Sequence, residues 1–566
     1  MKHLKLALGA GVAMCALIAT DASAAVKHKK HVVHKVVATS GNAELLAEVR
    51  ALREQVATLR ARVDGVPDTS TTGAQLATTQ ARLDALQTKV DATDTKVAAI
   101  PTTVNVAVDK ATDKARHADK FYFKGITITP GGFLELSGIY RAHNTATDIA
   151  SNFNALPYPN ARTGYLNEGR FSARQSRLSF LAQGDATKTT HLSMYGEFDF
   201  QGAAQTANSN ESNSYNPRIR HLYGTVDYDG MNGMGLHFLA GQTWSLITLN
   251  SKGITPRNEV TPPQINAQYV PGFSWARQPQ VRVTADFMDH KLWIAASAEN
   301  PQTTFFTVGT PAGAVAGTAG AAAPLPGSLA YNVTGSSGFN NANTLSLNHI
   351  PDFVGKVAYE DTIAGHLVHI EGFGIYKSFY ERINGISDDE SGGGYGGSIN
   401  LTVIPKLLDA QFSGMQGKGI GRYGSSQLPD TTFDFNGVQR PIHEYMLLAG
   451  ATLHASKLLD VYGFAGEEIE DTRAYTTASG LAYGYGNPLY TNAGCFTEGS
   501  SVCNGNTHSI KQGTVGVWQK LYVGPFGRAQ VGAQYSYTER KSFVGVGGAP
   551  LSKTSMGFVS FRYYPF

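Results

Sequence analysis

Arginine supplies the most suggestive chemistry in this chain. Arg174 and Arg177 stand in RQSRLSF, Arg218 and Arg220 in RIRHLYGTV, and Arg277 and Arg282 in RQPQVRVT, with Arg257 upstream of the last pair. A guanidinium is a planar fork of donors that meets a carboxylate at two points. Arg177 alternates with Leu178 and Phe180, and Arg282 lies between Val281 and Val283, so both fall on the polar face of an alternating segment. Arg174, Arg218, Arg220 and Arg277 sit at segment starts or loop edges, where alternation does not fix their side. Carboxylates follow the same logic: in HLSMYGEFDF (191–200), Glu197 and Asp199 share a face with His191, Ser193 and Tyr195, opposite Leu192, Met194, Gly196, Phe198 and Phe200. Two chemistries fit. The arginines face a passing anion, or they pair with Glu197, Asp199, Asp227 and Asp286 on neighbouring strands, and one ladder can do both.

Other chemistry is sparse. None of the 16 His lies in a nucleophile motif such as G-x-S-x-G, so an enzyme is the weaker reading and no cofactor is expected. His28, His31 and His34 in VKHKKHVVHKVV could capture metal, but a basic tail that meets anionic envelope polymers is the plainer reading. Apart from Cys15, the two cysteines, Cys495 and Cys503, share the polar run NAGCFTEGSSVCNG, which suggests a small disulfide loop worth about 2 to 3 kcal/mol. Metal at these cysteines is disfavoured, since no His or further Cys stands at a ligand spacing.

The elements that must position these residues begin with an export signal. Lys2, His3 and Lys5, an apolar stretch from Leu6 to about Ile18, and Ala22-Ser23-Ala24 form a secretory leader over 1–24, too short to be a spanning anchor. Cys15 follows Met14, which is larger than a lipidation site places there. A basic His-rich tail (25–40) precedes a segment (41–100) with heptad-spaced apolar residues. Leu45, Val49, Leu52, Val56, Leu59, Val63 and Val66 form one run, and Leu76, Thr79, Leu83, Leu86, Val90, Thr93, Val97 and Ile100 a second beyond GVPDTSTTG. This predicts a coiled coil in two segments, which oligomerises as two or three strands, with a self-folded hairpin as the other option. A linker (101–124) leads to the remainder, 125–566.

Composition narrows the class of that remainder. Charged residues are only 16%, while the chain holds 62 Gly, 27 Phe and 26 Tyr. Residues 1–120 carry 17 Lys and Arg against 12 Asp and Glu, which leaves 30 against 32 beyond them. That balance offers no strongly basic face for a nucleic acid. No apolar run after the leader makes a convincing membrane helix, and AGAVAGTAGAAAPLPGSLA from 312 reads as a flexible loop.

Alternating segments instead recur from 132 to the last residue: 132–140, 177–183, 191–200, 221–228, 235–243, 279–287, 291–299, 352–360, 366–376, 394–403, 407–415, 444–454, 458–467, 510–520, 527–537 and 555–566. The connections after even-numbered segments are short and those after odd-numbered ones long, which predicts an all-β transmembrane barrel of about 16 antiparallel strands. Its apolar parity faces lipid, because the bilayer tolerates only closed barrels or helices. Sixteen strands enclose more space than side chains fill, so the interior is expected to be a water-filled channel. Both barrel ends then lie on the periplasmic, short-turn side. The terminal SFRYYPF supports this only loosely, since Phe566 falls in register with Ser560 and Arg562 rather than with Val559, Phe561 and Tyr563.

RQSRLSF (174–180), RIRHLYGTV (218–226), FLAGQTWS (238–245), RQPQVRVT (277–284), AENPQTT (298–304), HIPDFVGKVAYE (349–360) and GKGIGRY (417–423), in that order, resemble the DcaP-like porins of Gram-negative bacteria. The likeness spans most of 125–566. It implies a trimer of sixteen-stranded barrels in the outer membrane, each with its own pore and a preference for small anions such as dicarboxylates.

The third long loop, 244–278, is where a porin folds a segment inward. It carries Lys252, Arg257 and Arg277 against Glu259 alone, with Trp244, Tyr269, Phe273 and Trp275. The expectation is therefore passive diffusion of small hydrophilic solutes with anion preference. Expected partners are further copies of the chain, outer-membrane lipids and lipopolysaccharide, and the cell wall through the N-terminal arm. A non-selective diffusion porin and an envelope tether are the alternatives.

Overall fold

In the computed structural model, residues 120–202, 216–230, 233–306, 328–334 and 344–566 are described, together with part of the stretch 51–91. The leader, the His-rich tail, most coiled-coil positions and 312–327 of the Ala- and Gly-rich stretch lie outside them. The described residues of 51–91 are helical, Val56 alone among the seam positions. No helix among the described residues is long and apolar enough to cross a membrane. Residues Met1–Ala118 and Asp119–Phe566 form separate compact units.

The second unit is built on one closed sheet of 18 strand segments, with three two-stranded sheets in its loops among the described residues. One segment is the short arm Phe121–Phe123, which pairs with Ile126–Ile128, and two others are pieces of a single strand, so sixteen strands make the wall. They are β1 (Ile126–Arg141), β2 in pieces Glu168–Ser172 and Arg177–Asp185, β3 (Thr190–Gly202), β4 (Asn216–Asp229), β5 (Gly235–Trp244), β6 (Arg277–Phe287), β7 (Leu292–Glu299) and β8 (Asp352–Ile363). The series continues with β9 (His366–Ile383), β10 (Ile386–Ile404), β11 (Leu408–Lys418), β12 (His443–Ser456), β13 (Leu459–Glu470), β14 (Thr507–Gly524), β15 (Gly527–Ser542) and β16 (Leu551–Tyr564). Each pairs antiparallel with the next, and β1 closes the ring on β16 from Leu134↔Tyr563 to Arg141↔Met556.

Each of the sixteen alternating segments lies within or against one strand. Leu192 and Met194 are about half exposed on the outer face, while Asp199 is fully buried within. That is the arrangement lipid outside and polar groups inside require. One connection differs from expectation. The stretch 377–393 extends β9 and β10 into a tall hairpin closed by Asn384 and Gly385, both at positive φ (50° and 82°). Those angles suit a two-residue turn whose twist matches the strands. Polar ERINGISDDE shows little apolar alternation, so its strand character was hidden; the Asn-Gly pair was the available signal. Cys495 and Cys503 are bonded in the loop after β13.

The barrel is not an empty tube. Residues 245–276, between β5 and β6, turn inward, and Leu246, Ile247, Leu249, Ile254, Ile265, Val270 and Phe273 become buried. At about 1.5 to 3 kcal/mol for each large apolar side chain fully removed from water, this burial can hold a loop inside a wet lumen. A second loop, 419–442, follows it inward, with Ile420, Tyr423 and Leu428 buried. The two meet where Trp275 N–H donates to Tyr423 O at 2.7 Å and Gln268 Nε2 to Ser425 O at 2.7 Å.

Candidate channel constriction

The infolded 245–276 loop is fastened across the lumen to strands far from its own roots. Toward β8 and β9, Gly253 N–H donates to Glu360 Oε2 at 2.6 Å and Asn250 N–H to Glu371 Oε1 at 3.0 Å. Lys356 Nζ reaches Thr248 O at 2.8 Å while pairing with Glu371 at 2.7 Å. Toward β13 to β15, Gly272 N–H donates to Glu468 Oε1 at 2.7 Å, Trp518 Nε1 to Pro263 O at 2.8 Å and Ile265 N–H to Gln534 Oε1 at 2.7 Å. Gly272 has φ +88° and lies against Leu447 O, so a side chain there would collide with the wall. A loop bonded on both sides of the barrel narrows the passage instead of lining one edge.

Most of the expected arginines gather beside the loop's roots. Arg218 is bidentate to Asp199, Nε to Oδ1 at 3.0 Å and Nη2 to Oδ2 at 2.6 Å. Arg220 bridges Glu197 at 2.6 Å and Asp199 at 3.2 Å. Arg177 lies 3.8 Å from Glu197 and over the Phe133 ring. Arg277 is held between Trp244 and Trp275, 5.0 and 5.1 Å from their centroids, and makes no salt bridge among the described residues. Three guanidiniums thus meet two carboxylates, and Arg277 stands beside them without a carboxylate of its own among the described residues. Tyr269 reports the resulting field: burial by itself raises its phenol, but Arg220, Arg177 and Arg277 outweigh that and hold it below its ordinary value.

Arg257, at φ 71°, reaches from the loop to Tyr223 Oη at 3.1 Å and lies over Tyr195. Rings bind this wall together: Tyr195 to Tyr223 at 5.7 Å, His221 to Trp244 at 5.6 Å and Trp244 to Trp275 at 5.6 Å.

Two arginines stand apart from this group. Arg282 shares the inward parity but is only 4% exposed, and its Nη2 donates to Trp244 O at 2.7 Å and to Gln280 at 2.8 Å. It braces the loop's root and does not face the passage. Arg174 donates to Phe200 O at 3.0 Å and Gly202 O at 2.7 Å at the long-loop rim. Asp227 and Asp286 do not pair with arginine either, because His237 bridges them at 2.8 Å on each side. Lys252 is exposed on the loop.

Sequence reasoning missed the second loop's contribution. Arg422 pairs with Asp352 at 3.1 Å and reaches Gln278 at 2.8 Å, while Tyr423 Oη donates to Asp352 at 2.8 Å. It also missed Arg528 and Arg562 near the β15–β16–β1 seam. The signal was present in SFRYYPF, where Arg562 alternates with Phe561 and Tyr563. On the short-turn side of the loop, these arginines help to line a cavity of 750 Å³ with Arg177, Tyr195, Glu197 and Pro262 to Gln264.

No protein-family model matches the chain, and no curated protein does. Solved structures match at the level of fold. The outer membrane channel DcaP of Acinetobacter baumannii is 16% identical and aligns with a TM-score of 0.54, covering 78% of this chain and 99% of that one. Pseudomonas putida OprB matches at 9% identity, covering 77% and 94% with a TM-score of 0.41. Salmonella typhi OmpF, solved with daunomycin, matches at 10% identity, covering 79% and 99% with a TM-score of 0.39. The barrel fold is thus like that of the DcaP channel, the group its ordered sequence stretches also resemble.

Proposed function

We propose that the chain is an outer-membrane porin for passive diffusion of small hydrophilic solutes, with a preference for small carboxylates. The observation that carries this reading is the excess of guanidinium over carboxylate at the roots of a loop spanning the lumen. Arg177, Arg218 and Arg220 meet Glu197 and Asp199, while Arg277 lies on Trp244 and Arg257 over Tyr195 with no carboxylate partner among the described residues. Fixed charge at a constriction sets ion preference because the narrow, low-dielectric walls focus the field onto the path. On this reading the apolar outer face meets lipid and lipopolysaccharide, and the heptads of 41–100 tie three copies together on the periplasmic side, within reach of the cell wall.

The test is a bilayer recording under a salt gradient. Replacing Arg177, Arg257 and Arg277 together by Gln should move the reversal potential toward cation preference. An unchanged potential would sink the anion reading. The non-selective alternative has its own support, since Arg218 and Arg220 are already paired. It predicts a wild-type potential near zero.

A further inference from the structure

The cavity on the short-turn side of the infolded loop holds a charge cluster that the constriction does not use. One side of it presents Arg177, Arg528 and Arg562. Arg528 lies over the Tyr564 ring at 4.1 Å and makes no salt bridge among the described residues, while Arg562 pairs with Glu135 at 3.0 Å and Arg177 stands 3.8 Å from Glu197. Another side presents Asp409 of β11, His454 of β12 and Asp460 of β13, three neighbouring strands with all three side chains toward the cavity. His454 Nε2 lies 3.1 Å from Asp409 Oδ2 and Nδ1 lies 2.7 Å from Asp460 Oδ1. The other oxygen of Asp460 meets Lys520 Nζ of β14 at 2.9 Å. Lys406 and Lys457 stand in the adjoining turns, and Leu407 O accepts the His454 N–H.

This geometry makes the proton count on His454 consequential. A neutral imidazole donates from one nitrogen and accepts at the other, so it satisfies one of the two aspartates and turns a lone pair toward the other. Only the imidazolium donates to both. With it, the charges of Asp409, Asp460, His454 and Lys520 sum to zero; without its proton they sum to minus one. Imidazole is the side chain whose ordinary titration falls within the physiological range. The cluster therefore stands in the cavity as a wall whose charge changes by one unit, facing arginines whose charge does not.

We propose that His454 is a specificity-determining residue of the channel, setting by its charge whether the wall beneath the loop is neutral and passes small anions or negative and repels them. This rests on the reading that small anions pass. A unit charge roughly 8 Å from an ion's path through water changes its local concentration about two- to threefold. Because the same charge enriches cations as it depletes anions, the anion-to-cation permeability ratio should fall about four- to ninefold between pH 5 and pH 9 in the wild-type channel.

Reversal potentials measured over that range for wild type, His454→Gln and Asp409→Asn test the proposal. His454→Gln should hold the high-pH ratio throughout, and Asp409→Asn should raise the ratio at every pH while retaining a step. Asp409→Asn also serves if His454→Gln fails to assemble, because a missing rise in that variant counts against the proposal on its own. An equal pH step in wild type and His454→Gln would overturn it and assign the step to another titrating group of the barrel. If the wild type lacks anion preference at every pH yet the step vanishes in His454→Gln, the carboxylate reading fails while the role of His454 stands.

Discussion

Strands β2 to β6 and strands β8 to β13 both put charge into the barrel, and they use it differently. On the first arc, Arg177, Arg218 and Arg220 gather on Glu197 and Asp199, and two arginines lie against rings, Arg177 over Phe133 and Arg277 between two tryptophans. On the second arc, much of the charge is consumed in holding loops. Lys356 is fully buried with Glu371, His369 joins Glu360 to Glu371 at 3.0 Å each, and Lys377 lies 3.3 Å from Asp430. Glu468 accepts backbone N–H groups from both infolded loops, Gly272 of one and Ser426 of the other. Inward parity is common to both arcs, so parity alone does not distinguish a charge that meets solute from a charge that anchors a loop. The partner decides: a carboxylate or backbone group of a loop makes a charge structural even where rings lie beside it, as Phe379 and Tyr423 do at Lys377, and a ring without such a partner leaves it available.

The largest effect should come from breaking an anchor. Lys356→Met takes the lysine from the Glu371 carboxylate, which is 3% exposed and keeps only His369 and the Asn250 N–H, and removes the donor to Thr248 O. Loss of one partner of a buried pair costs about 3 to 5 kcal/mol. Thermal unfolding followed by heat-modified gel mobility should shift sharply downward, and single-channel conductance should rise as the loop's root loosens. Adding Glu371→Gln should recover part of the stability, since removing both charges leaves nothing buried and unpaired. A Lys356→Met channel with wild-type stability and conductance would show that the second arc does not anchor the loop.

Arg218→Gln should have an intermediate effect, because Asp199 keeps Arg220 but loses its bidentate partner at 2.6 and 3.0 Å. A buried carboxylate that gives up such a pair loses about 1 to 3 kcal/mol. With one cation removed and the aspartate retained, the reversal potential should also move toward cations. Loss of stability without that movement would place Arg218 with the anchors and blur the difference between the arcs.

The strands were legible because each carries an apolar parity on the outer face of the barrel, as Leu192 and Met194 do. The inward turn of 245–276 was legible only as a concentration of aromatic and basic residues, because a loop packed on several walls at once has no period to read. The same holds for 419–442, where the buried side chains Ile420, Tyr423 and Leu428 follow no repeat. Arg282 shows the limit at the level of one side chain. Its alternation with Val281 and Val283 places it inward, but its partner is the carbonyl of Trp244, and a backbone acceptor leaves no mark in a sequence. His237 is a second case, since it occupies Asp227 and Asp286, which residue types alone would assign to arginine.

Arg277→Gln should produce the smallest change in stability and a clear change in selectivity, and that combination tests the contrast between the arcs most directly. Its guanidinium makes no salt bridge among the described residues, its Nη1 is buried without a hydrogen bond, and its contacts are the faces of Trp244 and Trp275. Removing it sacrifices ring contacts worth about 0.5 to 2 kcal/mol and relieves crowding with Arg177, Arg218 and Arg220, so the two terms oppose each other. Unfolding should therefore stay within about 1 kcal/mol of wild type, while the reversal potential in a salt gradient moves toward cations. High salt should shrink the difference between variant and wild type, since screening lengths fall to about 3 Å at 1 M. A strongly destabilised Arg277→Gln barrel with unchanged ion preference would make Arg277 an anchor like Lys356, and the first arc would then have no better claim to the solute than the second.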